Sequence, residues 1–223
     1  MMSGVFVTST GTDIGKTYVA CGILRESRRR GWRLVPRKPV VSGFEVEDWG
    51  SSDPGQLMGA AGLSKDDLQN VSPLRYRAPL APEIAARLEG RSYTFQEVVQ
   101  ASRSSGPTLV EGVGGIMVPV EGTLTVLDWI EAVDLPVVMV VGSYLGTLSH
   151  TLTAWAVLRQ KGPRPACIVI AESREPALSL EETREALMPF VDDAPIFLIP
   201  RGGTDFATLV DWCQDVGSRP TSK

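Results

Sequence analysis

Short apolar runs alternate along this chain with longer stretches whose apolar positions recur at helical spacing. The runs at 5–7, 109–110, 135–141, 166–171 and 195–200 are continuous rather than alternating in polarity, with Leu-Pro-Val-Val-Met-Val-Val at 135–141 the most apolar. Continuous apolar runs are expected of strands buried on both faces, as in a parallel sheet. The stretch 33–36 reads as one more strand. Between these, helices are predicted over about 15–30, 54–61, 83–89, 94–102, 125–132, 148–161, 180–188 and 204–216, several stopped or started by glycine, proline or a capping residue. Strand–helix alternation of this kind predicts an α/β fold, a mostly parallel sheet with helices on both faces. One domain is expected over 1–217, with a disordered tail at 218–223. Strand ends after residues 8, 40, 110, 141 and 171 would share one sheet edge, where ligands bind in open α/β sheets.

The first of those strand ends carries Ser9-Thr10-Gly11-Thr12-Asp13-Ile14-Gly15-Lys16-Thr17. Strand, glycine-bearing turn, Lys-Thr and helix form the layout of a phosphate-binding P-loop. Backbone N–H groups and the helix N-terminus would cradle an anion, Lys16 would reach the outer phosphates and Thr17 would offer its hydroxyl to Mg²⁺. The full motif's first glycine is missing from the Ser9-Thr10 step of this chain; Gly11, two residues after Ser9, also gives backbone freedom.

Other strand ends add charged groups. Glu111 ends an apolar strand and is followed by Gly112, Gly114 and Gly115, which fits a metal-side carboxylate and also fits a strand-end ion pair. Arg37 and Lys38 stand beside Pro39 at another strand end, as ligand groups or as exposed loop charges. Asp53 precedes Pro54 and reads as a helix N-cap; a Mg²⁺ role for it needs further support. His150 reads as a helix-start residue.

Composition narrows the functional classes. Hydrophobic residues make up 43% and charged residues 22%, as in soluble globular proteins. The net charge of −4 gives no electrostatic case for nucleic acid or an anionic membrane. Arg28-Arg29-Arg30 sits where a helix end favours positive charge. No apolar run approaches the ~20 residues that span a bilayer, and the run at 5–7 is far too short for a secretory signal. Cys21, Cys167 and Cys213 lack metal-ligand spacing, so reduced thiols in a cytoplasm are expected. A single histidine excludes a multi-histidine metal site.

Four segments together resemble the dethiobiotin synthetase family of biotin biosynthesis, a branch of the P-loop NTPases. They are Val7 to Thr17, Lys38-Pro39-Val40-Val41-Ser42-Gly43, Val110-Glu111-Gly112-Val113-Gly114-Gly115, and the stretch from Pro136 through Gly146-Thr147-Leu148-Ser149-His150. The resemblance implies a P-loop NTPase-like fold and an ATP-dependent reaction of 7,8-diaminononanoate with CO₂, through a carbamate and a carbamic–phosphoric anhydride, to dethiobiotin. It implies that Thr10, Gly11, Thr12, Asp13, Ile14, Gly15, Lys16, Thr17, Tyr18 and Glu172 contact the nucleotide, ATP or another nucleoside triphosphate. It implies Mg²⁺ held by Thr17, Asp53 and Glu111, and Lys38, Lys16 and Thr12 as the catalytic groups. Thr12, Lys38, Ser42 and Gly114 would meet the carbamate and diamine. Gly146, Thr147 and Ser149 would take the remote carboxylate across a homodimer interface, with no nucleic-acid or membrane partner. The chain departs from the family's common pattern at Ser9, Asp13, Glu83, Ser149 and Glu172. Glu172 replaces an amide that reads adenine; an ionised carboxylate only accepts hydrogen bonds. Amide-forming P-loop ligases, partitioning-type switch ATPases and a nucleotide-binding homologue without turnover are the competing classes.

Overall fold

The apolar runs fold into the strands expected of them. The structure, a computed structural model, describes residues 2–160 and 165–218. Strands β1 (Gly4–Ser9), β2 (Val35–Arg37), β5 (Thr108–Glu111), β8 (Val137–Val141), β9 (Ala166–Ala171) and β10 (Ile196–Ile199) form one six-stranded sheet in the order β10-β9-β8-β1-β5-β2. All its pairings are parallel. The carboxyl ends of all six therefore lie on one edge. Two small sheets complete the inventory: β3 (Val40–Ser42) with β4 (Leu74–Tyr76), and β6 (Pro119–Glu121) with β7 (Leu124–Thr125). The helices are α1 (Lys16–Arg29), α2 (Asp53–Ala61), α3 (Leu68–Val71), α4 (Pro82–Leu88), α5 (Phe95–Ala101), α6 (Val126–Val133), α7 (Thr147–Gln160), α8 (Leu180–Leu187) and α9 (Ala207–Gly217).

Alternation along β1 divides the core into two layers. Val5 and Val7 face α1, α2 and α9, packing with Val19, Ile23, Leu57 and Leu209. Phe6 faces the opposite side, with Trp129, Ile130, Val98 and Leu158 of α6, α5 and α7. The Phe6 and Trp129 rings meet edge to face at 5.1 Å. Trp129 is fully buried, and its indole N–H donates to Ser102 Oγ at 2.8 Å. Both faces of the central strands are thus apolar, which accounts for their continuous sequence pattern.

Three expectations change. The strand read at 33–36 is β2, shifted to Val35–Arg37, so its sheet edge falls just before Lys38 rather than after residue 40. β3, which carries residue 40, pairs only with β4 and lies outside the main sheet. Asp53 is not an N-cap: Ser52 holds that position, accepting from the Gly55 N–H at 3.3 Å, which leaves the Asp53 carboxylate free for other partners. The predicted tail lies outside the described residues from 219 onwards, as does Lys161 at the end of the predicted α7. Arg30 reaches from α1 to Asp211 and the Ala207 carbonyl of α9, so the basic run anchors a helix pair. Among the described residues, no helix is long and apolar enough to cross a membrane.

Trp129 carries a large apolar surface and a buried donor–acceptor pair. Trp129→Ala should destabilise the fold by about 3–5 kcal/mol, the range for large-to-small aromatic changes in cores. Urea unfolding measures this, and a loss under about 1 kcal/mol would show the two-layer packing to be misassigned.

Candidate active site

The loop between β1 and α1 brings the site together. Gly15 has φ 102° and Asp13 φ 58°, left-handed values that turn the chain back over the end of β1. A Cβ at Gly15 would lie 3.2 Å from Ala171 Cβ, so the loop rests against the end of β9. Lys16 then opens α1 with its side chain folded inwards. Its ammonium donates to Ser9 Oγ at 3.2 Å and to the Gly11 carbonyl at 3.0 Å. Burial, with Lys38 nearby, lowers its pKa to about 8.

Beside it lies a buried charge cluster. Glu111 ends β5, next to β1 in the middle of the sheet, and is fully buried. Lys38 follows β2 and is also buried. Its ammonium lies 2.5 Å from Glu111 Oε1, 3.1 Å from Asp53 Oδ2 and 2.8 Å from the Gly112 carbonyl. Burial opposes the charge on Lys38, but Glu111 and Asp53 outweigh it and hold the ammonium above the ordinary lysine range. Burial also acts against ionised Asp53, and Lys38 overcomes it, so Asp53 stays below the usual carboxylate range. Asp53 reaches the cluster from the first turn of α2. Pro54 and the Ser52 cap start that helix, and Gly55 gives room for the Trp49 carbonyl, which a Cβ there would meet at 2.1 Å.

The hydroxyl of Thr17 lies 2.9 Å from both Asp53 Oδ1 and Glu111 Oε1. One hydroxyl proton serves one acceptor at a time, so oxygen acceptors outnumber donors here. Glu111 Oε2 is buried with no hydrogen-bond partner among the described residues. A hard cation takes such a set of carboxylate and hydroxyl oxygens, so the residues fit Mg²⁺. With two carboxylates and one hydroxyl, the protein supplies only part of an octahedral shell, as is usual where substrate phosphates complete it.

Two cavities open on either side of the P-loop. One, of about 550 Å³, is lined by Thr12, Lys16, Thr17, Lys38, Ser42 and Asp53, with Gly114 across from them. The other, of about 980 Å³, is lined by Asp13, Ile14, Gly15, Tyr18 and Glu172. Glu172 Oε2 accepts from the Arg201 N–H at 2.9 Å. Tyr18 crosses between the cavities and hydrogen-bonds the Gly203 carbonyl.

The remaining expected residues lie elsewhere. Thr10 and Gly11 line a third groove of about 490 Å³ with His150 and Met117. Gly146, Thr147 and Ser149 do not reach the 550 Å³ cavity of their own chain. Gly146 and Ser149 are exposed, and Thr147 is buried, donating to the Gly142 carbonyl at 2.6 Å. Glu83 also stays out of the cavities, accepting from the Gly122 N–H. Sequence reasoning misses two contributions: the Pro79–Pro82 turn on the 550 Å³ cavity, and Arg174, Arg201 and Gly202 on the larger one. The Pro200-Arg201-Gly202-Gly203 stretch after β10 carries the same glycine signal as the other strand ends.

Residues 3–197 match the family model described as an AAA domain. The chain is 47% identical over 217 residues to the ATP-dependent dethiobiotin synthetase BioD of Caulobacter sp. (strain K31), covering 94% of each protein. It is 45% identical to the protein of that name from Caulobacter vibrioides (strain NA1000 / CB15N), covering 94% of this chain and 98% of that one. The Phenylobacterium zucineum (strain HLK1) protein of that name is 41% identical over 91% of this chain and 90% of its own.

The lowered Lys16 pKa generates a prediction. A phosphate beside the ammonium favours its charged form, so nucleotide binding raises the pKa from about 8 towards the ordinary 10.5. Nucleotide affinity should be greatest below pH 8 and fall by up to tenfold per pH unit above it, with proton uptake on binding. Calorimetry in buffers of different ionisation enthalpy measures that uptake. Pure proton release at pH 9 would contradict the assignment.

Proposed function

The chain belongs to the dethiobiotin synthetase family, and on that premise we propose how its residues divide the work of the reaction. It is an ATP-dependent ligase that makes dethiobiotin from 7,8-diaminononanoate and CO₂, giving ADP and phosphate. One amine of the diamine adds to CO₂ as a carbamate. A carbamate oxygen attacks the γ-phosphorus of ATP, and ADP leaves. The second amine attacks the carbonyl carbon of the resulting anhydride, the ring closes and phosphate leaves.

The observation that carries the assignment of roles is the P-loop standing as a shared wall between two cavities. The triphosphate lies along that wall, with the base in the 980 Å³ cavity and the acceptor in the 550 Å³ one. Phosphoryl transfer rests on positioning and charge neutralisation. Lys16 leaves its loop contacts to take the β- and γ-phosphate oxygens. Lys38, held charged between Glu111 and Asp53, faces the acceptor cavity and neutralises the carbamate and the charge that develops during transfer. Thr12 and Ser42 orient the carbamate and diamine; the Ser42 hydroxyl is buried with no partner among the described residues. Mg²⁺ on Thr17, Asp53 and Glu111 supplies charge neutralisation at the phosphates when bound.

The base contact is Glu172, whose carboxylate accepts from the amino group of adenine or cytosine. ATP is the co-substrate. A homodimer supplies the missing carboxylate site, with the Gly146–Ser149 turn of a second copy closing the acceptor cavity. The open groove of Thr10, Met117 and His150 supports that arrangement. The three free, buried cysteine thiols support a reducing cytoplasm as its location.

Diaminononanoate and bicarbonate should together stimulate phosphate release from Mg-ATP, with dethiobiotin formed in equal amount. CTP and GTP run in parallel show how tightly Glu172 selects the base. Light scattering of the same preparation should give twice the 24.1 kDa chain mass. Lys16→Ala should abolish turnover. Lys38→Ala should lower kcat at least about 100-fold with little change in nucleotide KM, the signature of an interaction made in the transition state. ATP hydrolysis indifferent to the diamine would overturn the substrate assignment, and normal turnover in Lys38→Ala would overturn its role.

A further inference from the structure

Strands β8 and β9 end side by side in the sheet, and the residues just past their ends are bound to each other. The Ser143 N–H donates to Ser173 Oγ at 2.9 Å, and the Ser173 N–H donates to Ser143 Oγ at 3.1 Å. This reciprocal pair fixes the residues beside it, Tyr144 after Ser143 and Glu172 before Ser173, both on the 980 Å³ cavity. The Tyr144 side chain is half-buried and held at both ends. A Cβ at Gly142 would meet Tyr144 Cδ1 at 2.6 Å and Ser173 Oγ at 2.7 Å, so glycine there lets the ring lie against the backbone. At the far end, the Tyr144 hydroxyl lies 2.9 Å from His150 Nδ1. Among the described residues, Tyr18 and Tyr144 are the aromatic side chains on this cavity. Tyr18 also lines the 550 Å³ cavity and packs its ring against Phe206, with 6.0 Å between centroids. Tyr144, like Glu172, lines the larger cavity and not the smaller one.

We propose that Tyr144 is the aromatic platform on which the nucleobase stacks. This rests on the nucleotide reading of the site, in which the base occupies the 980 Å³ cavity. A nucleobase presents a polar edge and a flat π-face. The Glu172 carboxylate answers a donor on the edge and offers the face nothing. Ile14, Leu145 and Pro200 on the same wall are not aromatic. Tyr144 supplies the ring, and its attachment to Gly142 and His150 fixes it before any base arrives. A ring already held in place loses little rotamer freedom on binding, so more of the contact appears as affinity. Every base has a π-face, so stacking adds affinity without reading the edge. Tyr144 therefore strengthens binding of the base, and Glu172 selects among bases.

The test is calorimetric binding of two probes to the whole protein: Mg-ATP, and Mg-tripolyphosphate, which has no base. Tyr144→Ala should bind Mg-ATP about tenfold more weakly than wild type, within the range for loss of one base–aromatic stack. Its affinity for Mg-tripolyphosphate should stay that of wild type. Tyr144→Phe keeps the ring and should recover most of the lost ATP affinity. Thermal unfolding checks each variant, and Tyr144→Leu, apolar without a π-face, replaces the alanine variant if that one does not fold. A loss for ATP below about threefold overturns the platform, being under the smallest effect expected of a stack. Equal losses for both probes, or a phenylalanine variant as weak as alanine, also overturn it, because the side chain then acts through site shape or its hydroxyl. Glu172→Ala, measured alongside, reports the placement of the base. A selective ATP loss there, with none in Tyr144→Ala, overturns the platform and keeps the base in this cavity. If neither variant changes ATP binding, that placement fails as well. Absence of Mg-ATP binding in wild type overturns the nucleotide reading itself.

Discussion

The contact between Lys38 and Glu111 governs the arrangement of the site. Both side chains are buried, and their charged atoms lie 2.5 Å apart beneath the P-loop. Desolvating two charges costs several kcal/mol each, and their attraction only roughly repays it. An apolar pair of similar volume would serve the fold as well. The pair therefore makes sense as chemistry. Glu111 keeps Lys38 charged where burial alone would neutralise it, and Lys38 keeps two carboxylates close together. Asp53 joins from α2, and Thr17 from α1, so three elements are held in register at one point. β5 is paired on both sides, with β1 and with β2, which anchors that point in the sheet.

From this centre the two cavities acquire different characters. In the smaller one, Lys38, Ser42 and Thr12 share the wall with the Pro79–Pro82 turn. On the far side, Tyr18, Tyr144 and Leu145 form a broader, more apolar chamber bounded by Glu172 and Arg201. The P-loop is the partition, and Lys16 lines the smaller cavity. Its ammonium is hydrogen-bonded to Ser9 and to the Gly11 carbonyl. These internal partners help a lysine with a depressed pKa to sit buried at the start of α1.

Much of this is legible in the residues. The central strands, Val137–Val141 above all, are apolar on both faces, a pattern that a strand between two helical layers requires. Glycine after Glu111 and after Val141 marks strand ends, and parallel pairing carries those ends to one edge. Other features leave no comparable trace. β3, β4, β6 and β7 are two or three residues long, too short for periodicity to show, and their pairing is set by tertiary contact. Asp53 reads as a cap because Ser52 and Asp53 are both good caps, and sequence alone does not say which one turns inward. Ser9 looks like a blemish in a motif; its partners are nonlocal or depend on the loop's path. Gly146, Thr147 and Ser149 lie away from the 550 Å³ cavity of their own chain, a placement set by tertiary structure.

The buried ion pair serves chemistry rather than stability, and a double-mutant cycle on Lys38→Met and Glu111→Leu tests that claim most directly. Urea unfolding and diamine-dependent phosphate release are measured on the two single variants and the double. Each single change leaves a buried charge without its partner and should cost about 3–5 kcal/mol of stability. The double variant should return to within about 1 kcal/mol of wild type or exceed it, with no phosphate release. A double variant as unstable as the sum of the singles, or one that retains turnover, would contradict the claim.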